Sequence, residues 1–316
     1  MSKVTICIPT FNSAESVTET IESLLEQTYK NIKIKVFDNA STDDTVKILK
    51  QYPQIQVYES LENMGAEANF TKCIQAAEGD YTAIFHADDI YDKDIIMNQV
   101  KELDLDRELV AVCTHATEID HEGKKIGERF IPKEIKKNQY LDFNRLLSLA
   151  CTYGNFITCP SVLIRTDILK NKIKKWDGEN FKSSADLDLW LRLTEFGKIK
   201  FLLSALINYR VASVSTSFNM KRARTTRHDF FLVTDNYANQ ITTNAQKALA
   251  FLEVKDIALR RLNAMKQGIL IDESGPVGVR WVIAGLTASL WHIKFLFKIM
   301  IINCTYRLYS ITKSIR

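Results

Sequence analysis

The run Ala83–Asp94, AIFHADDIYDKD, carries an apolar strand straight into a crowd of acids. Ala83, Ile84 and Phe85 are followed at once by His86, Ala87, Asp88 and Asp89, with further acids at Asp92 and Asp94. Short apolar runs bounded by turn signals read as buried strands. Carboxylates gathered where such a strand ends must be hydrated, paired or holding a cation. The rhythm upstream says what kind of strand this is. Val4–Pro9, Ile32–Phe37, Ile55–Glu59 and Tyr81–Phe85 are strand-like, and Ala14–Gln27, Asp43–Lys50 and Gly65–Glu78 between them have helical patterning. Strands alternating with helices predict an α/β fold with a doubly wound, mostly parallel sheet. Ligands of such sheets bind beyond the carboxyl ends of the strands. Asn12 with Glu15 three residues on, and Ser41 with Asp44 three on, predict side-chain caps for the first two helices.

After residue 109 the rhythm changes. Leu109–Thr114 reads as a strand, 121–125 as a hairpin turn, Tyr140–Ala150 as a helix and Ser161–Ile164 as a strand. Asp186–Phe196 is a strongly apolar helix, Ile199–Tyr209 a strand, and 218–267 two helices that include the basic stretch KRARTTRH at 221–228.

Composition bounds the function. The 316 residues are 46% hydrophobic and 25% charged, as in ordinary globular proteins. The net charge of +4 is unevenly placed: no acid follows Glu273, while Arg280, Lys294, Lys298, Arg307, Lys313 and Arg316 do. The body is therefore slightly acidic and has no general nucleic-acid footprint. The charge-free run Trp281–Ile293 is thirteen residues long, short of the roughly 20 needed to span a bilayer. Basic and aromatic residues over 279–316 predict an amphipathic helix on an anionic membrane surface, the alternative being packing on the chain itself or on a second subunit. Six cysteines without a CxxC pair suit reduced thiols, and MSKVTICIPTFN has no signal-peptide core. The expected location is the cytoplasm, peripheral on the cytoplasmic face of the membrane.

Four polar clusters fall just past strand ends: PTFNSAE (9–15), FDNASTDD (37–44), ENMGAEAN (62–69) and HADD (86–89). Singly, each fits a helix cap or a turn. On one edge of a parallel sheet they share a cleft of helix N-termini and carboxylates, suited to an anionic ligand that brings a divalent cation. A nucleoside diphosphate has that character. Neither GxGxxG nor GxxxxGK[ST] occurs, which favours a metal-bridged diphosphate over dinucleotide or Walker-type sites.

In order along the chain, Pro9-Thr10-Phe11-Asn12, Asp38-Asn39-Ala40-Ser41-Thr42-Asp43, Asn63-Met64-Gly65 and His86-Ala87-Asp88-Asp89 resemble the P-T-[FY]-N, D-[ND]-x-S-x-D, N-x-G and D-x-D-D-like signatures of glycosyltransferase family 2. These are inverting enzymes of GT-A fold, here of the bacterial surface-polysaccharide type, and the similarity covers about residues 3–210. The resemblance implies that Pro9, Thr10, Phe11 and Glu15 border the nucleoside, that Asp38 accepts a hydrogen bond from the base, and that Asn63 and Gly65 complete the nucleotide pocket. It places Asp88 at the ribose or donor sugar and Asp89, with Asp88, on Mn2+ or Mg2+; His86 stands where the family has its first acid. Ser183–Leu193 resembles the family's E-D-x-x-L-W-x-R-L helix, with Asp186 at the catalytic aspartate and Ala185 replacing the glutamate. Asp188 competes for that role and reads as first-turn charge. Tyr209-Arg210 with Ser215 resembles the family's Y-R…S close, without the histidine between. The 221–228 patch is either a solvated helix face or a contact to the phosphates.

The implied organisation is a GT-A catalytic domain over 1–215, its nucleotide-sugar half about 1–110 and its acceptor half about 111–215, then a helical C-terminal region over 216–316 that holds the tail. The implied activity is transfer of a sugar from a nucleotide sugar, UDP-linked, to an acceptor hydroxyl on a glycan or lipid-linked glycan, with a homo-oligomer possible through the tail. The rivals are a nucleotide-binding relative without catalysis and a glycoside hydrolase using Asp186 with a second, opposed acid.

Overall fold

The computed structural model describes residues 1–211, 223–271, 301–310 and 313. The chain forms two compact units, Met1–Leu146 with Asn155–Ala212, and Leu147–Gly154 with Ser213–Arg316. The first unit is built on one sheet whose strands are β1 (Val4–Thr10), β2 (Ile32–Asp38), β3 (Gln56–Glu59), β4 (Tyr81–Ile84), β5 (Ile90–Tyr91), β6 (Leu109–Ile119), β7 (Lys125–Glu128), β8 (Tyr140–Leu141), β9 (Val162–Arg165) and β10 (Lys198–Arg210). Their order is β3-β2-β1-β4-β9-β6-β10-β5, with β7 beside β6 and β8 beside β10. Neighbours β3, β2, β1 and β4 are parallel, as are β6 and β10, and β9 is antiparallel to both β4 and β6. One reversed strand between two others leaves all six flanking strands pointing the same way, which is the mostly parallel sheet that the alternation predicts.

The helices divide between the two faces because β-strand side chains alternate. Val4, Ile6 and Ile8 of β1, Ile34 and Val36 of β2 and Ala83 join one core with Val17, Ile21 and Leu24 of α1 (Val17–Leu25), Leu49 of α2 (Thr45–Leu49) and Ile95, Val100 and Leu103 of α4 (Ile95–Leu105). The opposite face of β1 and β2 is covered by α3 (Ala66–Gln75): Asn69 Nδ2 donates to Phe37 O at 2.8 Å, and Lys35 Nζ to Ala76 O at 2.9 Å. A sheet buried on both faces leaves only its edges and strand ends for a ligand.

The first two helices start later than the capping patterns predict, at Val17 and Thr45, and neither is capped by the expected side chain. Asn12 instead turns back with φ +49°, its Oδ1 accepting from Thr42 N at 2.8 Å while its own N–H donates to Ser41 Oγ at 2.9 Å. The capping residues serve to stitch two strand-end loops together. The helix expected from Tyr140 begins at Phe143, since Tyr140 and Leu141 pair with Lys200 and Ile199 of β10.

In the second unit, helices at Phe230–Asn236 and Thr243–Gln267 match the two expected within 218–267. Thr242 Oγ1 caps the longer one, and Gly268 closes it at φ +68°, a left-handed C-terminal residue of the kind glycine favours. The described arginines of the basic stretch are ion-paired within this unit. Arg224 pairs with Asp256 at 2.6 Å, and Arg227 is held by Asp235 and by Glu253 at 2.5 Å; Lys221 and Arg222 lie outside the described residues. Most of the tail expected to lie on a membrane, including Trp281–Ile293, Lys294 and Lys298, is also outside them. Residues 301–310 are helical, with Tyr306 buried under the Arg261 guanidinium, 5.5 Å from its ring centre. Among the described residues no helix is long and apolar enough to cross a membrane.

Candidate functional site

Strand register brings the four polar clusters together. Thr10 of β1 lies opposite Asp38 of β2, Asp38 opposite Glu59 of β3, and Cys7 opposite Ile84 of β4, so the residues that follow each strand emerge on one edge. Asn39 N donates to Thr10 O at 2.9 Å, Ser13 N to Thr45 Oγ1 at 2.7 Å and Ala14 N to Asp43 Oδ2 at 3.1 Å. Asp38 is buried, its two oxygens accepting from Ser41 N at 2.9 Å and Ser41 Oγ at 2.5 Å; each keeps a second lone pair. Asn39 binds the next loop: its Nδ2 donates to Asn63 Oδ1 at 2.8 Å and Gly65 O at 3.1 Å, and its Oδ1 accepts from Met64 N at 3.0 Å. Asn63 Oδ1 also accepts from Gly65 N at 2.9 Å, and Gly65 sits at φ +84°, the left-handed region in which a side chain would be strained. Phe11 and Glu15 are exposed, Pro9 is half-buried, and Thr10 is buried with its Oγ1 lacking a hydrogen-bond partner.

Beside this lies the HADD turn. The His86 backbone is clamped at both ends by one hydroxyl: its N–H donates to Tyr91 Oη at 2.8 Å, and Tyr91 Oη donates to its carbonyl at 3.3 Å. The Phe70 ring meets the imidazole edge-on at 5.7 Å and stacks on Trp176 at 4.4 Å. His86, Asp88 and Asp89 each offer a ligand atom, and these atoms all lie within 4.8 Å of one another. Asp88 is exposed, whereas Asp89 is 0% exposed. Asp89 Oδ1 accepts from Arg210 N at 2.8 Å, while its Oδ2 is buried with no hydrogen-bond partner and lies 3.9 Å from His86 Nδ1. Burial, reinforced by the charge on Asp88, pushes the Asp89 carboxyl well above its usual range, and burial holds the His86 imidazole below its own. A buried acceptor without a partner costs about 1–3 kcal/mol. A divalent cation beside an imidazole and two carboxylates would satisfy it, so the residues present fit a metal ion.

Arg210 holds this turn from behind. The turn runs into β5, which pairs antiparallel with β10 through Tyr91–Ile207 and Ile90–Asn208, bringing the end of β10 against it. The Arg210 guanidinium, 7% exposed as a residue, donates to Asp88 O at 2.8 Å, Asp120 O at 3.0 Å and His121 O at 2.8 Å, and forms an ion pair with Glu19.

Asp186 opens α5 (Ala185–Thr194), where a helix N-terminus favours a carboxylate. Leu187 N donates to its Oδ1 at 2.8 Å and Asn155 Nδ2 to its Oδ2 at 2.7 Å. Burial outweighs both bonds and pushes the carboxyl up to about 6. Asp188 is 2% exposed and committed to Arg192, whose Nε lies 2.6 Å from its Oδ2 and whose guanidinium also reaches Ile173 O and Lys175 O. Burial raises the Cys159 thiol, and the charges of Asp186 and Asp89 add to the rise.

The family model described as Glycosyl transferase family 2 matches residues 5–170, more than half of the chain. The chain belongs to this family. An uncharacterized glycosyltransferase of Rickettsia typhi is 30% identical over 217 residues, covering 68% of this chain and 65% of its own length. The putative teichuronic acid biosynthesis glycosyltransferase TuaG of Bacillus subtilis is 26% identical over 225 residues, covering 70% of this chain and 83% of its own. Among solved structures, S. aureus TarS 1–349 in complex with UDP-GlcNAc has a TM-score of 0.59 at 18% identity, over 90% of this chain and 79% of that one. The mannosyltransferase PcManGT of Pyrobaculum calidifontis, in complex with GDP-Man and Mn2+, has a TM-score of 0.60 at 14% identity, over 99% and 87%. These two show the shared fold, the GT-A arrangement.

Against the family 2 signatures, the structure brings Asp38, Asn63, Gly65, Asp88 and Asp89 to one sheet edge, and among the described residues no arginine forms with Asp186 an ion pair like the one that holds Asp188. Three contributors escape sequence reasoning: Asn39 as the stitch between loops, Asn155 as the partner of Asp186, and the His86 ring as a potential ligand. Asn155 lies 31 residues from Asp186, and no spacing rule connects them. For His86 the signal was present, since imidazole is a metal ligand in its own right.

Proposed function

We propose that this chain is an inverting glycosyltransferase that moves a sugar from a UDP-sugar, with a divalent cation, to an acceptor hydroxyl. The observation that carries this is a half-buried Asp186 carboxylate held by Leu187 N and Asn155 Nδ2, on the same sheet-based unit as the His86, Asp88 and Asp89 ligand atoms that lie within 4.8 Å of one another. Asp186 takes the proton of the acceptor hydroxyl as that oxygen attacks the anomeric carbon from the face opposite the diphosphate. Asn155 and Leu187 N hold the carboxylate in place for the transfer. Pro9, Thr10, Phe11, Glu15, Asp38, Asn63 and Gly65 line the nucleoside side, and His86, Asp88 and Asp89 would hold the cation. When bound, a divalent cation supplies neutralisation of charge on the departing diphosphate. The UDP-GlcNAc in the TarS complex and the Mn2+ in the PcManGT complex support this donor class and ion.

Residues 1–215 form the catalytic domain in this reading, with the nucleotide-sugar half about 1–110, and 216–316 a helical accessory region. The acceptor is a lipid-linked glycan for a surface polysaccharide, reached on the cytoplasmic face of the membrane. The teichuronic acid role in TuaG's name and the acid-free, basic and aromatic stretch after Glu273 support that reading.

The pH profile tests the base. A carboxylate must be ionised to accept a proton, and one raised to about 6 loses that form as pH falls through this value. The expected kcat/KM is flat above pH 7 and falls about tenfold per unit well below 6. A profile unchanged down to pH 5 contradicts Asp186 as the base.

A further inference from the structure

We propose that His86 is itself a ligand of the divalent cation and that its imidazole makes the site discriminate against Mg2+ in favour of Mn2+ and later first-row ions. The inference rests on the metal-dependent reading above and deepens it.

Three observations on the turn point the same way. The ring is placed before any ion arrives: Tyr91 Oη clamps the His86 backbone at 2.8 and 3.3 Å, and the Phe70 ring meets the imidazole at 84°. The spacing suits a shared ion. Ligand atoms held about 2.1 Å from one cation stand about 3 Å apart when adjacent and about 4.2 Å apart when opposite. His86 Nδ1 and Asp89 Oδ2 are 3.9 Å apart, too far for a hydrogen bond, and the whole trio lies within 4.8 Å, so small side-chain shifts close it on one ion. Finally, Asp89 Oδ2 is a fully buried carboxylate oxygen aimed into this cluster with no hydrogen-bond partner.

The ligand chemistry sets the selectivity. Mg2+ demands octahedral oxygen ligands and gives up its waters reluctantly. An imidazole nitrogen in place of a carboxylate oxygen removes one hard ligand and one negative charge. First-row transition ions accept that exchange more readily, rising from Mn2+ along the Irving–Williams order.

Mn2+ is the probe, used with the full chain, alone and with UDP. Continuous-wave electron paramagnetic resonance follows free Mn2+ during titration, and pulsed spectra of the bound ion report directly coordinated nitrogen. We expect Mn2+ to bind, to show a 14N coupling of imidazole type, and to resist displacement until Mg2+ is in about 100-fold excess. His86→Asp should still bind Mn2+, lose the 14N coupling, and release the ion at about tenfold less Mg2+. Bound Mn2+ without a 14N coupling in the wild type overturns the proposal while leaving the metal-dependent reading standing. Failure to bind Mn2+ at all overturns both. The wild-type spectrum decides the matter even if His86→Asp does not fold.

Discussion

Asp186→Asn is expected to lower kcat by about 1,000-fold while UDP-sugar affinity stays within a few-fold of the wild type, the loss typical of removing a positioned general base. The amide keeps the shape of the carboxylate, and its oxygen can still accept from Leu187 N, so the start of α5 should survive. What disappears is the proton acceptor. Asp188 provides the control. It sits two residues along the same helix turn, but it is buried and bound to Arg192 at 2.6 Å. Asp188→Asn should therefore weaken the fold through a broken ion pair, and where the protein still folds its kcat should change much less. Steady-state kinetics beside calorimetric donor binding separates the two. If Asp188→Asn silences turnover and Asp186→Asn does not, the roles are reversed.

Arg210→Met is expected to destabilise the protein by about 3 kcal/mol and to abolish metal-dependent nucleotide binding, because it removes at once the buried guanidinium's bonds to three loop carbonyls and its pairing with Glu19. Methionine can fill much of the apolar volume of the side chain. It cannot satisfy Asp88 O, Asp120 O and His121 O, nor pair with Glu19. The Arg210 backbone N–H that binds Asp89 Oδ1 remains in any side-chain variant, so the loss isolates the guanidinium. Arg210→Lys keeps the charge but not the planar fork of donors, and should recover only part of the stability. Urea denaturation and Mn2+ titration measure the two effects separately. A variant of wild-type stability with intact Mn2+ binding would show that the turn holds its shape without Arg210.

The same residues show how far sequence reasoning reached. Short apolar runs at Val4–Pro9, Ile32–Phe37 and Tyr81–Phe85 gave the strands, and their alternation with helices gave the parallel pairing that lines up Thr10, Asp38 and His86 on one edge. Local patterns failed where tertiary contacts overrode them. Asn12 and Ser41 have the chemistry of caps, but their polar atoms found partners in the neighbouring loop, 29 and 30 residues away. β5 is only two residues long and carries no periodicity, yet its pairing with β10 is what brings Arg210 to the acidic turn. Reversal of β9 between β4 and β6 is likewise unmarked in VLIR, whose apolar run suits either direction. Charge alone does not reveal partners either: in the basic stretch, Arg224 and Arg227 are matched by acids that lie between 8 and 32 residues further along.

Calorimetric titration of UDP and GDP into the full chain, with Mn2+ and then with excess chelator, tests the central claim most directly. The strand-end loops and the HADD turn predict that UDP binds with Mn2+ and weakens at least about tenfold when the ion is removed, since a cation held by His86, Asp88 and Asp89 would neutralise charge on the diphosphate. A chain that binds neither nucleotide, or that binds UDP equally well in chelator, would contradict a metal-bridged nucleotide-sugar site at this edge.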